Sequence, residues 1–539
     1  NVYRPDAEGR FPAIVAHGIY GKDVHFADAY APQWQKLNEL HPGLFAGASG
    51  GKYVRWETAD PEQWVPHGYV LIQVDARGTG QSTGYLDPFS PREIQDYYES
   101  IEWAARQPWS TGKVGLLGIS YYAISQWLVA ALQPPHLAAI IPWEGGSDHY
   151  RDWSHHGGIP SNTFCEAWWP RQVLPNQNGN VASAHRDRDT GAATTGVPLA
   201  PATLEGNRAA YVEEIARHPL NDAWHAQRSP QLDRIRVPLL SAGNWGGAGL
   251  HLRGNIEGWM RSASTRKWLS LHDGTHFESF YLPQYVAMQK RFFDCYLKGL
   301  HSGWEDEPPV QLSIRRPGAP SVRRMEREFP LSRTLATRFH LDAAAGTLSL
   351  AEPAASATAQ FAAAVGRLDF SSPPFAADTE FTGFVSLRLR VCSSTCDADI
   401  FATLRALDPE GREVIFQGAS EPVPLARGWL RASHRSVDAA RSTPFRTFHP
   451  HDAVEKLVPG EPCELDLEMW PTSVVFPKGY RLVLTLTGRD LEFEGIPGRI
   501  LHTRNARDEE FCGRTTIHTG GEHASCLVMP LIPPRGDEG

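Results

Sequence analysis

The stretch that most limits what this chain can fold into is Val114-Gly115-Leu116-Leu117-Gly118-Ile119-Ser120-Tyr121-Tyr122-Ala123. A short apolar run ends at Gly118, a serine follows two residues later, and Ala123 to Leu132 is apolar enough to be a buried helix. Strand, sharp turn with a serine at its tip, then helix is the layout of a nucleophile elbow. The turn is strained, so small residues are needed on each side of the serine. Gly118 meets that need before Ser120; the second glycine of G-x-S-x-G is not kept, and the nearest small residue after the serine is Ala123. Alone, the pattern also fits an ordinary strand-to-helix turn that contains a serine.

The chain has 539 residues, too many for one core and enough for two or three domains. An apolar content of 41% and 17 tryptophans describe a folded chain rather than a disordered one. A net charge of −9 argues against nucleic acid as partner. The seven cysteines form no C-x-x-C pair, which argues against a zinc ribbon or a redox motif. No run of about 18 apolar residues is present, so neither a membrane-spanning helix nor a membrane partner is expected. No signal peptide is legible. Asn1-Val2-Tyr3-Arg4-Pro5 reads like the end of a strand, so an upstream segment is expected. Location stays open: the cytoplasm is favoured, and a removed signal peptide is compatible.

Apolar strands recur along the first half. Pro12 to Gly18, Gly68 to Asp75, Val114 to Gly118, Leu137 to Pro142, Arg236 to Gly243 and Lys267 to Leu271 are predicted strands. Ser90-Pro91-Arg92-Glu93 opens a helix as a capping box, and Ile94, Ile101 and Ala105 recur at helical spacing. Alternation of this kind predicts a mostly parallel sheet covered on both faces, with ligands at the carboxyl ends of its strands. Tyr20, in the glycine-flanked loop after the first strand, is a phenol able to donate to a developing oxyanion. Residues 27 to 66 look like an excursion over the surface. Gly78 and Gly80 superficially suggest phosphate binding, but a structural turn with an Asp75–Arg77 contact is the better reading. Residues 144 to 235 lose periodicity and are read as a mostly helical cap. Trp143, Glu144, Trp168, Trp169 and Trp245 are the expected pocket residues. The pair His155-His156 has no partners at metal-ligand spacing. After the last of these strands comes His272-Asp273-Gly274-Thr275-His276, and His276 is better placed than His272 to reach Ser120 as a base. Beyond about residue 305 the period changes to two: Phe381, Val385, Leu387, Leu389 and Val391 share a face, as do Leu465 with Leu467 and Leu482 with Leu484. Antiparallel strands in a β-sandwich or jelly roll follow, with Ala343 to Ala364 as a loop.

Together, Gly68-Tyr69-Val70 through Ser82, Gly118-Ile119-Ser120-Tyr121, Phe292 through Gly299, Glu307-Pro308-Pro309-Val310 and Trp470-Pro471-Thr472-Ser473 resemble the cocaine-esterase and X-prolyl dipeptidyl peptidase superfamily of α/β-hydrolases. The resemblance implies a doubly wound α/β sheet with an inserted helical cap and a C-terminal all-β jelly roll. The boundaries are 1–143 and 236–310 for the hydrolase core, 144–235 for the cap and 311–539 for the jelly roll. It implies Ser120 as nucleophile, His276 as general base, and an oxyanion hole from the Tyr20 hydroxyl and the Tyr121 N–H. It leaves homo-oligomer formation open. One departure stands out: in the turn Asn244-Trp245-Gly246-Gly247, glycine occupies the place of the family's triad aspartate. Asp273, Glu257 and Asp148 are replacement acids to consider, and Asn244 could orient the imidazole as a neutral partner.

A serine esterase forming an acyl-enzyme on Ser120 is the leading expectation, with a small-molecule ester or amide as substrate and neither cofactor nor metal required. The alternatives are an amidase, peptidase or acyltransferase on the same residues, or a decayed hydrolase kept as a binding protein. A peptidase would want a carboxylate cluster for a substrate amine; Glu144, Asp148 and Glu166 are available. Aromatic pocket walls suggest an aryl or bulky apolar ester.

Overall fold

The computed structural model describes residues 1–47, 49–418, 422–492, 501–502, 509–522 and 525–534. The early apolar runs form β1 (Phe11–Gly18), β2 (Val70–Asp75), β3 (Ser110–Ile119), β4 (Leu137–Trp143), β5 (Leu239–Asn244) and β6 (Lys267–His272). They pair in parallel in the order β2-β1-β3-β4-β5-β6. Strands of a parallel sheet are buried on both faces, which is why they read as continuous apolar runs. β7 (Val310–Arg316) joins β6 in parallel, and β8 (Ala319–Glu326) closes this edge antiparallel to β7. The first sheet therefore runs on past residue 311, the expected start of the second unit.

Helices cover the sheet. In α1 (Pro91–Ala105) the Ser90 hydroxyl accepts from the Glu93 N–H, as a capping box requires. The Glu93 carboxylate instead reaches back to Phe89 N–H at 2.6 Å and to the Tyr121 hydroxyl at 2.7 Å. α2 (Tyr121–Ala131) is buried at every residue, Ser125 and Gln126 included, as a helix that is mostly apolar all round must be. α3 (Leu252–Arg261) and α4 (Pro283–Phe293) follow β5 and β6.

The elbow tolerates Tyr122 where a second glycine is usual because neighbouring glycines yield the space. A Cβ on Gly18 would lie 2.5 Å from the Tyr122 ring, and one on Gly118 would lie 2.5 Å from Tyr122 Cβ. Ala123 packs against Gly145 in the same way, where an added Cβ would meet the Ala123 Cβ at 2.5 Å.

The C-terminal half is a strand-rich unit with its own core. Leu335–Asp342, Cys526–Ile532, Thr379–Ser393 and Cys463–Phe476 pair in succession. Ala426–Arg431, Asp399–Leu407, Arg481–Thr487 and Arg367–Ser371 continue from Cys463–Phe476. Thr347–Ser349 links Arg367–Ser371 back to Leu335–Asp342, so the ring is closed and barrel-like. The residues read as period two, Phe381, Leu387, Leu465 and Leu484 among them, are buried inside it.

Four local expectations are corrected. Residues 343–364 are not one loop: Thr347–Ser349 and Ala357–Ala362 are strands, the latter paired with Arg514–Thr519, and tertiary pairing overrides weak Ala-rich propensity. Residues 27–66 are a surface excursion only in part: most of 27–47 is exposed or half-buried, but Val54 to Pro61 is buried. Arg77 pairs with Asp96 at 2.6 Å rather than with Asp75, whose carboxylate accepts from the N–H groups of Lys22 and Gln81. Residues 144–235 hold only short helices, such as Asn162–Trp168 and Tyr211–Arg217, because Pro, Gly and Asn interrupt the segment between them.

Candidate active site

Ser120 stands between β3 and α2 with φ 54° and ψ −112°. That backbone costs an L-residue on the order of 1–3 kcal/mol and persists only where its surroundings enforce it. Here the Ser120 N–H donates to the carbonyls of Trp143 and Glu144, and the Ile119 N–H donates to the Glu57 carbonyl at 2.9 Å. Glu57 (φ 62°) and Glu144 (φ 48°) are themselves left-handed. Three strained non-glycine residues thus meet at one point, a concentration typical of functional sites.

The side chains of the same residues form one network. Ser120 Oγ lies 3.0 Å from Nε2 of His251, in the turn between β5 and α3. His276, in the loop after β6, does not make this hydrogen bond. Its Nδ1 lies 2.8 Å from Glu144 Oε2, and its Nε2 lies 3.0 Å from Glu57 Oε1. The rings of His251 and His276 stack at 4.8 Å with 6° between their planes. Glu144 Oε1 is held by His272 Nε2 at 2.9 Å and by the Asn244 amide at 3.3 Å.

Burial alone would raise the Glu144 carboxyl, but the charge of His276 and hydrogen bonds from His272 and His276 draw it down to about 2. Burial alone would lower His276; Glu144 and Glu57 overcome it and lift the imidazole to about 10. Glu57, buried and with only part of this compensation from His276, is pushed up to about 7.

The expected replacement acids lie elsewhere. Asp273 takes a hydrogen bond from Ser321, Glu257 pairs with Arg446 at 2.7 Å, and Asp148 pairs with Arg151 at 2.8 Å. Asn244 touches Glu144 and the Gly274 carbonyl. The carboxylate on Nδ1 of His276 is instead Glu144, at the end of β4, a residue expected on the pocket wall. Gly247 caps the turn after β5, where its carbonyl receives the His251 N–H at 3.0 Å. His251 and Glu57 were not anticipated. No spacing signal marks them; only the tight positive-φ geometry of the fold brings them to Ser120.

Tyr20 is buried beside the elbow, its ring edge-on to those of Tyr121 and Tyr122. Its hydroxyl oxygen accepts from Trp168 Nε1 at 3.0 Å, which polarises the phenol for donation. Tyr121 is the first residue of α2, so its N–H belongs to the positive end of a helix. These groups flank a cavity shared by Tyr20, Tyr30, Trp56, Ser120, Trp168 and Phe277. Its volume is about 80 Å³. Trp168 lines this cavity as expected. Trp143, at the end of β4, stacks on His272; Trp169, in a helical turn, stacks on Tyr211; and Trp245, in the turn after β5, donates to the Ser313 carbonyl, so these three are buried in packing and do not line the cavity.

Glu144, His251 and His276 each offer one ligand atom, all within 4.8 Å of one another. The parallel stacking of the imidazoles runs their in-plane lone pairs side by side instead of converging them, and both His276 nitrogens face carboxylates. This arrangement suits charge pairing rather than shared coordination of an ion.

Residues 1–278, more than half of the 539, match the family described as X-Pro dipeptidyl-peptidase (S15 family). The chain belongs to this family. Residues 302–528 match the X-Pro dipeptidyl-peptidase C-terminal non-catalytic domain, the strand-rich unit of the S15-family chain. A CocE/NonD family hydrolase from Staphylococcus aureus is 33% identical, with a TM-score of 0.84 over 99% of this chain and 90% of the other. Cocaine esterase from a Rhodococcus species is 25% identical over 602 residues, covering 99% of this chain and 96% of its own. An α-amino acid ester hydrolase shares the fold at a TM-score of 0.67 and 15% identity, covering 98% of this chain and 93% of the other. The chain is thus a hydrolase of a family that carries serine esterase and peptidase names. Among the described residues, no helix is long and apolar enough to cross a membrane.

Proposed function

We propose that the chain is a serine hydrolase that cleaves small carboxylic esters through an acyl-enzyme on Ser120. The observation that carries this reading is the Ser120 hydroxyl, held on a strained turn at 3.0 Å from an imidazole and opening into the cavity beside Tyr20. Ser120 Oγ attacks the ester carbonyl while a histidine accepts its proton. The oxyanion forms between the Tyr20 hydroxyl and the Tyr121 N–H, and the alcohol leaves with the proton. Water then repeats the sequence on the acyl-enzyme. His276, with Glu144 on its Nδ1, keeps a histidine–carboxylate pair at the site, so a buried carboxylate is supplied from the neighbouring strand although Gly247 carries none. A carboxylate retained at the site weighs against reading the chain as a decayed hydrolase.

Support for ester over peptide substrates comes from the acids. A cluster of Glu144, Asp148 and Glu166 to hold a substrate amine is not assembled: Glu144 is enclosed by His272 and His276, Asp148 pairs with Arg151, and Glu166 is exposed. The small aromatic cavity fits a compact acyl group better than an extended chain. The C-terminal ring, which we read as a jelly roll, packs against the turn after β5: Gly246 and Gly418 meet so closely that a Cβ on either would touch the other's backbone.

Comparing the butyryl ester and butyryl amide of p-nitrophenol and p-nitroaniline tests the preference. A kcat/KM at least tenfold higher on the ester is expected, and a higher value on the amide overturns the ester reading. Tyr20→Phe is expected to lower kcat about 100- to 1,000-fold, the range for losing one oxyanion donor, with KM nearly unchanged. Steady-state kinetics on the same ester check it; an unaltered kcat would remove Tyr20 from the oxyanion hole.

A further inference from the structure

We propose that His251 takes the proton of Ser120, and that His276 is a fixed cation stacked beside it and clamped at both nitrogens by Glu144 and Glu57. The inference rests on the reading of Ser120 as nucleophile and divides the work between two histidines where the family resemblance implied one.

Hydrogen-bond direction carries it. An ionised carboxylate accepts and does not donate, so while Glu144 and Glu57 are both ionised an imidazole facing them from Nδ1 and Nε2 fills both bonds only as the doubly protonated cation. A ring in that state has no lone pair with which to receive the serine proton. His251 is different: its Nε2 lies 3.0 Å from Ser120 Oγ, within the reach a general base needs. With the ring proton on Nδ1, Nε2 accepts from the hydroxyl.

The proton then follows a closed path. As Oγ bonds to the carbonyl carbon, the Oγ–H proton moves to His251 Nε2 and the carbonyl electron pair becomes the oxyanion. As the tetrahedral intermediate collapses, the carbon–alkoxide bond breaks and the same proton leaves with the alcohol. Water deacylates by the same steps. In between, His251 is itself a cation stacked on a cation. Two carboxylates offset this: with Glu57 ionised, Glu144 and Glu57 outnumber His276 by one negative charge, and the cluster stabilises the second imidazolium as it forms. His276 is thus a positioning residue that carries the carboxylate field to the face of His251. The charged groups facing it are Glu144 at the end of β4, Glu57 from the buried 54–61 segment and His251 before α3; the raised His276 agrees with this assignment, and Glu57, pushed up to about 7, completes the clamp as it ionises.

The test labels Ser120 with a fluorophosphonate and follows p-nitrophenyl butyrate hydrolysis in wild type, His251→Ala, His251→Gln, His276→Ala and His276→Gln, each first shown to melt cooperatively. Both His251 variants are expected to lose about 100- to 10,000-fold in kcat/KM and most of the labelling rate. Added imidazole is expected to restore part of the activity to His251→Ala and none to His276→Ala. The glutamine variant keeps a hydrogen-bonding side chain of similar reach, so loss there is not a packing effect. His251 variants within tenfold of wild type, or imidazole rescue of His276→Ala in place of His251→Ala, overturn the proposal while leaving Ser120 as nucleophile. A wild type that is not labelled at Ser120 overturns the nucleophile reading, and this proposal with it.

Discussion

Ser120→Ala is expected to lower kcat by about four to six orders of magnitude, the range seen when the nucleophile of a serine hydrolase is removed. What remains is turnover from the oxyanion hole and substrate binding, so KM should stay within a few-fold. The same position predicts a gain in stability. Ser120 holds φ 54° against its own steric preference, and glycine adopts that conformation freely. Ser120→Gly is therefore expected to be equally inactive yet more stable than wild type by about 1 kcal/mol. Denaturant unfolding followed by tryptophan fluorescence measures this. An active Ser120→Ala would end the acyl-enzyme mechanism, and a Ser120→Gly less stable than wild type would show that the elbow is not strained.

Glu144→Gln is the second large effect. The carboxylate is fully buried between His272 and His276, and both histidines lose their charged acceptor in the variant. Breaking a buried charge pair from one side costs about 3–5 kcal/mol. Activity should fall about 100- to 10,000-fold, because a histidine deprived of its carboxylate loses its orientation. The stability loss has a pH signature. Glu144 is depressed from 4.5 to about 2, so its contribution is complete above pH 4.5 and is lost as pH falls toward 2. His276 is raised from 6.5 to about 10, so its contribution is complete below pH 6.5 and is lost as pH rises through about 10. The difference in melting temperature between wild type and Glu144→Gln should therefore be widest between pH 4.5 and 6.5 and narrow toward either extreme. A difference that is flat with pH would mean the pair is not ionised in the folded protein.

Much of this arrangement is set by local sequence. The apolar run to Gly118, the serine and the apolar helix after it specify a strand, a tight turn and a buried helix, and period-two alternation from Phe381 to Val391 specifies a strand with one buried face. These signals are local: side-chain spacing decides which face is buried, and small residues decide where a turn can tighten. The serine and the loop of His276 were legible for the same reason, because in a parallel sheet the carboxyl ends of strands gather on one edge. The hydroxyl partner and the acid were not legible. Glu57 lies 63 residues before Ser120 in a segment without periodicity, and His251 lies 131 after it. Glu144 reads as a residue just past a buried strand. Their meeting depends on three left-handed backbones and on glycines at 18, 118 and 145 that let the chain approach closely, and no spacing rule encodes such distances. The positions of the sheet strands and the turn at the serine were thus determined by the sequence alone, through short-range burial and sterics. Which histidine touches the serine, and which carboxylate holds the other histidine, was decided only by tertiary packing, because hydrogen bonds and charge pairing act across space and not along the chain.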